Sequence, residues 1–435
     1  MIDSAETQPA EATGTRAPGG PFHVLAKPTG PVCNLACDYC FFLAKDALYP
    51  GSRFRMSDET LDLYLRQLFE AHRGMPEVVV AWQGGEPTLM GIDFFRRSIE
   101  LEQRYMEPGQ SVLNTIQTNG TLIDDEWASF LGQNQFLAGI SIDGPRDVHD
   151  AFRRDKAGRP TFDRVMAGLA KLREHSVDYN VLCTVHSANQ DRGREVYRFL
   201  RDECGAEFIQ FIPIVERPAP GGIPTGTEVT ERSVSPEGYG RFMIEVFEEW
   251  VRRDIGTVYV QQFDSALANF VGEPGAVCVH APVCGRQVAM EDNGDVYSCD
   301  HFVQPDCLLG NVASASLAEL VDSDEQVAFG DAKRTTLTRY CLQCGVLRLC
   351  NGGCPKDRFA TSPLGDEGHQ YLCAGYFAFF NHIAGPLADM AALLSAGRAP
   401  AELMARHSAE DSTRSRNDLC PCGSGRKWKN CHGGR

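Results

Sequence analysis

Three cysteines on one short loop, Cys33-Asn-Leu-Ala-Cys37-Asp-Tyr-Cys40, are the first residues in the chain whose type and spacing could do chemistry. Three thiolates can hold three irons of a 4Fe-4S cube, whereas a fully ligated cube takes four, so one iron stays open to an outside ligand and to one-electron chemistry upon it. A zinc loop lacking its fourth ligand, or three buried thiols, is the competing reading. A second group runs Cys278, Cys284-x9-Gly294-x4-Cys299, Cys307, then Cys341-x2-Cys344-x5-Cys350-x3-Cys354, and finally Cys373. These nine thiols suffice for two more cubes with one left over; one or two four-cysteine zinc sites are the alternative. A third group, Cys420, Cys422, Cys431 and His432, falls in the last 16 residues, a stretch too short to bury a core, so that a metal must fold it. Only Cys183 and Cys204 lie outside these groups, and they read as core packing residues.

Chemistry of this kind needs a scaffold, and the chain between 21 and about 255 supplies an alternating one. Apolar, β-branched segments near 22–28, 77–82, 112–118, 138–143, 179–186 and 207–214 predict six strands. Helical periodicity predicts helices over 57–72, 93–105, 124–132, 161–175 and 191–204. Six βα units in succession imply an α/β fold with a parallel sheet, open or curled into a partial (β/α)6 barrel, whose chemistry gathers at the carboxyl ends of the strands. The cysteine loop follows the first strand. Gln83-Gly84-Gly85-Glu86-Pro87 follows the second, Gln117-Thr-Asn119-Gly120 the third and Ser141-Ile-Asp143-Gly144-Pro145 the fourth, with His149-Asp150-Ala-Phe-Arg153 just beyond.

In spacing and in strand-end position these motifs resemble the radical S-adenosylmethionine (SAM) superfamily. With Cys299-Asp300-His301-Phe302-Val303 they resemble, over about 22–385, the anaerobic sulfatase-maturating enzymes. The resemblance implies three 4Fe-4S clusters, with SAM chelated at the open iron of the first and cleaved there to a 5′-deoxyadenosyl radical. It implies that Gln83, Gly84, Gly85, Glu86 and Pro87 form the turn for the SAM amino group, Glu86 accepting from the ammonium. Asn119, Ser141 and Asp143 would meet the ribose and carboxylate, and Arg153 would pair with the carboxylate. Phe42 stands where the family often places a hydroxyl-bearing aromatic near the adenine, so it can stack there but has no hydroxyl to offer. The second cysteine group is similar to the SPASM domain. Its crossed ligation, carried over by position, gives Cys278, Cys284, Cys299 and Cys354 to a nearer cluster and Cys341, Cys344, Cys350 and Cys373 to a farther one, leaving Cys307 over. The tail resembles the SEC-C zinc motif.

The resemblance also implies a reaction, the oxidation of a Cys or Ser side chain in an unfolded sulfatase segment, Cys/Ser-x-Pro-x-Arg, to Cα-formylglycine. The reacting thiol or hydroxyl must lose a proton, and Asp300 is the candidate general base; the plainer role for it is to cap a turn beside the cluster. A different SPASM modification, thioether crosslinking of a small precursor peptide, is the alternative reading.

Composition narrows the partners. With 58 acidic and 42 basic residues the net charge is −16, which disfavours nucleic acid for the chain as a whole and suits a peptide bearing arginine; only the tail, with Arg426, Lys427 and Lys429, offers a basic face. In a reducing compartment 17 cysteines are not a disulfide framework. No run of 18 apolar residues occurs, and the most apolar stretch, 376–394, is interrupted by Asn381, His382, Pro386 and Asp389, so no membrane span is expected and cytoplasm, with a cytosolic electron donor, is the default. The expected layout is a disordered leader (1–20), a SAM core (21–255), a SPASM domain (256–390), a linker (391–415) and the metal-folded tail (416–435).

Overall fold

The computed structural model describes residues 20–420, 425–431 and 433. The leader therefore lies almost wholly outside the described residues, as do Cys422 and His432. Six parallel strands run in sequence order, β1 (His23–Ala26), β2 (Glu77–Trp82), β3 (Ser111–Thr118), β4 (Leu137–Ser141), β5 (Tyr179–Val185) and β6 (Phe208–Pro213). Between them lie α1 (Asp58–Ala71), α2 (Ile92–Tyr105), α3 (Asp125–Gln133), α4 (Arg146–Phe152), α5 (Phe162–Glu174) and α6 (Gly193–Arg198), the last continued by a π-helical turn, Phe199–Glu203.

Local chemistry explains these boundaries. Ser57 and Asp124 cap α1 and α3 by accepting from Thr60 N and Trp127 N, and acids occupy both first turns. Leu61, Leu65 and Leu68 form the apolar stripe of α1 and share one core with Val78 and Val80 of β2. Cys183 and Cys204 are fully buried in that core.

The sheet does not stop at six strands. After α7 (Pro236–Arg253), the short β7 (Tyr259–Val260) pairs parallel with β6 and leads into α8 (Gln261–Val271). At the opposite edge β8 (Gln287–Met290) pairs parallel with β1, and β9 (Asp295–Tyr297) and β10 (Leu308–Asn311) add antiparallel. One ten-stranded sheet results, in the order β10-β9-β8-β1-β2-β3-β4-β5-β6-β7. The expected boundary at 255/256 thus cuts a continuous sheet, because an open edge strand such as β1 presents unpaired backbone groups that a later segment can satisfy.

The cysteine-rich region beyond carries α9 (Leu317–Val321), α10 (Asp324–Thr335), α11 (Arg339–Leu342), α12 (Leu347–Cys350) and a small hairpin of β11 (Arg358–Ala360) and β12 (His369–Gln370). Next comes α13 (Cys373–Ser395), which runs unbroken through Pro386. By length and composition it could cross a membrane, contrary to the expected interruption; here Tyr376, Phe379, Phe380, Ile383, Leu387 and Met390 are buried where it packs on α7 and α8. The expected linker is largely helical as well. It contains α14 (Leu403–Thr413), which packs on α7, with Asp411 accepting from Arg252 Nε at 3.0 Å.

Candidate active site

The cysteine loop leaves β1 and is pinned from outside its own segment. Ala36 N and Asp38 N donate to Arg154 O and Phe152 O at 2.9 and 3.0 Å, and Asn119 Nδ2 reaches Cys33 Sγ at 3.6 Å from the end of β3. Burial pushes the Cys33 thiol up to about 11 and Cys37 to about 12, and raises Cys40 too. A ligand thiol must lose its proton, so iron binding is what offsets this burial.

The Gly-Gly-Glu-Pro turn is built against that loop. Gly85 N donates to Gly30 O at 2.8 Å and Glu86 N to Val32 O at 2.9 Å. A Cβ on Gly85 would lie 2.0 Å from Val32 O, so only glycine permits this approach. Gln83 continues the β1–β2 pairing through its N–H to Ala26 O, and Pro87 is buried at the start of the next helical turn. Asn119 Nδ2 donates to Asn34 Oδ1 at 2.8 Å, and Ser141 Oγ accepts from Gln117 at 3.2 Å.

Two expected SAM contacts have other partners. Glu86 is fully buried, and its carboxylate accepts from Thr88 N, Thr88 Oγ1, Thr118 Oγ1 and Asn119 N. With four protein donors in place, it ties the turns after β2 and β3 together. Arg153 gives Nε and Nη2 to the two oxygens of Asp143 at 2.8 and 3.0 Å, a bidentate buried pair to which Tyr39 Oη and Thr184 N also donate. Burial alone would raise the Asp143 carboxyl, but Arg153 and His186 hold it well below the usual range. Arg153 and Asp143 therefore brace the cysteine loop through Tyr39, whose hydroxyl donates to Asp143.

Asp300 lies where the later strands meet β1. Its Oδ1 is 2.7 Å from Lys27 Nζ, an ion-pair contact off hydrogen-bond alignment, and Lys27 Nζ also donates to Glu291 Oε1 at 2.9 Å. Lys45, from the helical turn after the cysteine loop, donates to the Asp300 carbonyl at 3.2 Å. Burial would raise the Asp300 carboxyl, yet Lys27, His301 and Lys45 keep it below its ordinary value, in the charged form a base requires. Phe42 lies beneath Lys27, Nζ to ring centre 4.9 Å, and is tilted by 32° against Phe41, ring centres 4.1 Å apart. Lys27, Glu291, Lys45 and Tyr39 were not legible as site residues from the sequence. Lys27 carried one signal, a lone charge at the end of an apolar strand.

The later cysteines fall into two neighbourhoods. Burial raises the Cys299 thiol, with Cys354 and Cys278 adding to the rise, and burial also raises Cys284 and Cys354, each with a contribution from Cys278. A separate pocket is lined by Cys341, Cys344, Cys350 and Cys373, with Tyr340, Gln370 and Phe377 around them. Burial raises the Cys307 thiol, which accepts from Gln304 Nε2 at 3.6 Å. Among the described residues no three His, Cys, Asp or Glu converge as one bound ion would require; a cube instead takes each thiolate on a different iron. One set of three thiols and two sets of four, the first beside a glycine cradle, fit one open and two closed cubes. In the tail, Cys420 and Cys431 are buried together against Trp428.

The Radical SAM superfamily profile matches residues 28–200, the SPASM iron-sulfur cluster-binding domain 278–345 and the SEC-C motif 416–434. The chain is 41% identical to the serine-type anaerobic sulfatase-maturating enzyme of Bacteroides thetaiotaomicron, over 88% of this chain and 94% of that one. It is 31% identical to the cysteine-type enzyme of Clostridium perfringens, over 85% and 98%. The solved structure of native anSMEcpe with bound AdoMet and Cp18Cys peptide superposes with a TM-score of 0.76 at 30% identity, covering 86% of this chain and 99% of that one. On these grounds the chain belongs to the anaerobic sulfatase-maturating enzymes, radical SAM proteins with a SPASM iron-sulfur domain.

Proposed function

We propose that this enzyme oxidises a cysteine or serine side chain in a Cys/Ser-x-Pro-x-Arg segment of an unfolded sulfatase to Cα-formylglycine, drawing on a cytosolic electron donor. The observation that carries the reading is Asp300. Its carboxylate lies 2.7 Å from the Lys27 ammonium and directly follows Cys299 in sequence, in a chain 41% identical to a serine-type sulfatase-maturating enzyme.

When bound, SAM and the clusters supply a one-electron cleavage that removes hydrogen from the substrate β-carbon and a sink for the second electron. The protein's own residues do the rest. Cys33, Cys37 and Cys40 hold the first cube by three irons, and the Gly84-Gly85 turn lets backbone approach its ligand. Asn119 and Ser141 offer polar groups at neighbouring strand ends, and Phe42 an aromatic face. Cys278, Cys284, Cys299 and Cys354 close the nearer cube, and Cys341, Cys344, Cys350 and Cys373 the farther. Asp300 accepts the proton that the thiol or hydroxyl gives up as its carbon becomes a carbonyl or thiocarbonyl. In the tail Cys420, Cys422, Cys431 and His432 are proposed to hold zinc.

The test is anaerobic reconstitution with iron and sulfide, followed by SAM, reductant and matched cysteine and serine peptides. A peptide aldehyde appearing with 5′-deoxyadenosine is the expected result. Deoxyadenosine without any change in peptide mass would transfer the reading to a different peptide modification.

A further inference from the structure

We propose that Lys27 is the positioning residue of the reaction, fixing the Asp300 carboxylate so that one oxygen is engaged by the protein and the other is left for the substrate. The inference rests on Asp300 being the base.

The geometry comes from one register. Lys27 N donates to Met290 O at 2.8 Å, one step beyond the Ala26–Met290 partners of β1 and β8, which sets Lys27 beside Glu291. The lysine is fully buried, with Phe42 against its ammonium and a site for a Cβ on Gly84 only 3.0 Å from its own Cβ. An ammonium so enclosed must be neutralised, and it has three donors and no acceptor capacity. Glu291 alone would neutralise it. The ammonium nevertheless lies 2.7 Å from Asp300 Oδ1 as well, while Oδ2 has no hydrogen bond among the described residues and 12% of the Asp300 side chain stays accessible. Glu291 thus anchors the lysine independently of Asp300, and the lysine in turn anchors the base. Lys45 holds the same residue by its carbonyl, so backbone and side chain are fixed from two directions. A base that must take the thiol or hydroxyl proton within the lifetime of a substrate radical needs its proton-accepting oxygen already in place.

The test reads product per deoxyadenosine, with peptide present, in holoenzyme of matched iron and sulfide content. Lys27→Met is expected to lower aldehyde per deoxyadenosine on the order of tenfold to a hundredfold, the scale of a misplaced base, with peptide KM little changed. Lys27→Arg is expected to recover part of that ratio. Should Lys27→Met fail to fold or to hold clusters, Glu291→Gln decides: a lowered ratio supports the proposal and a wild-type ratio overturns it. An unaltered ratio in folded Lys27→Met overturns it too, as does a parallel loss of deoxyadenosine and aldehyde, which is the mark of a merely structural lysine. Failure of the underlying reading is separate, since wild type would then form no aldehyde, or Asp300→Asn would turn over normally.

Discussion

Asp300 illustrates how much a single side chain owes to its surroundings. Placed after Cys299 it is largely buried, yet Lys27, His301 and Lys45 hold its carboxyl below the ordinary value, and an ionised acceptor is what a departing proton needs. Asp300→Asn removes the acceptor and keeps the shape. We expect SAM cleavage to survive and aldehyde to fall by about two orders of magnitude or more, measured by chromatography of deoxyadenosine beside peptide mass. Gly85 makes the opposite case, a residue important for what it lacks. A methyl group there would meet Val32 O at 2.0 Å, so Gly85→Ala should push the turn away from the cysteine loop. It should lose roughly 1–3 kcal/mol of stability in urea unfolding and weaken SAM binding to the reconstituted protein. The importance of this turn was legible from the sequence. That Glu86 is spent on Thr88, Thr118 and Asn119 was not, because the partners of a buried carboxylate are chosen by the packing of separate loops.

Between elements, ion pairs report how the cysteine-rich region and the C-terminal helices are held to the barrel. Glu248 of α7 accepts from His382 of α13 at 2.6 Å and from Arg252 at 2.5 Å, and Arg252 passes on to Asp411 of α14. Burial would raise the Glu248 carboxyl, but His382 and Arg252 bring it down to about 2. A folded value below the unfolded one means the contact stabilises fully above about pH 4.5 and fades as pH falls toward 2. Glu248→Gln should therefore be less stable than wild type at neutral pH and approach it in acid, read as the difference in urea midpoint between about pH 7 and pH 3. The strand pairing of β8 with β1 matters more for chemistry, since it alone brings Glu291 and Asp300 to Lys27.

For the whole molecule, charge and the tail carry the predictions. A net charge of −16 should attract a substrate segment containing arginine, so its KM is expected to rise several-fold between about 50 and 500 mM salt while kcat changes little. A matched peptide with the arginine replaced should show a flatter dependence in the same assay. The tail is seated on α7: Trp428 lies 5.8 Å from Arg252 and 5.4 Å from Arg414, guanidinium to ring, and the cluster it forms with Cys420 and Cys431 packs against Ile244 of α7. Stripping the proposed zinc with a chelator should release Trp428, shifting its fluorescence and exposing 416–435 to protease, with aldehyde formation by the loaded enzyme retained. Loss of turnover on release would give the tail a part in catalysis.

Read alone, the sequence determined the six strands, most of their helices, the grouping of the cysteines and the motifs at successive strand ends. Each of these is written in neighbouring residues: periodicity of two or of 3.6, a capping serine or aspartate, thiols a few positions apart. The tertiary structure alone decided the ten-stranded sheet, the helical course of 391–415, the commitment of Arg153 to Asp143 and the Lys27–Glu291–Asp300 cluster. These are meetings of groups up to 273 residues apart, Lys27 to Asp300. Which buried charge answers which is set by the free energy of excluding water from both at once, and no local pattern in the chain records it.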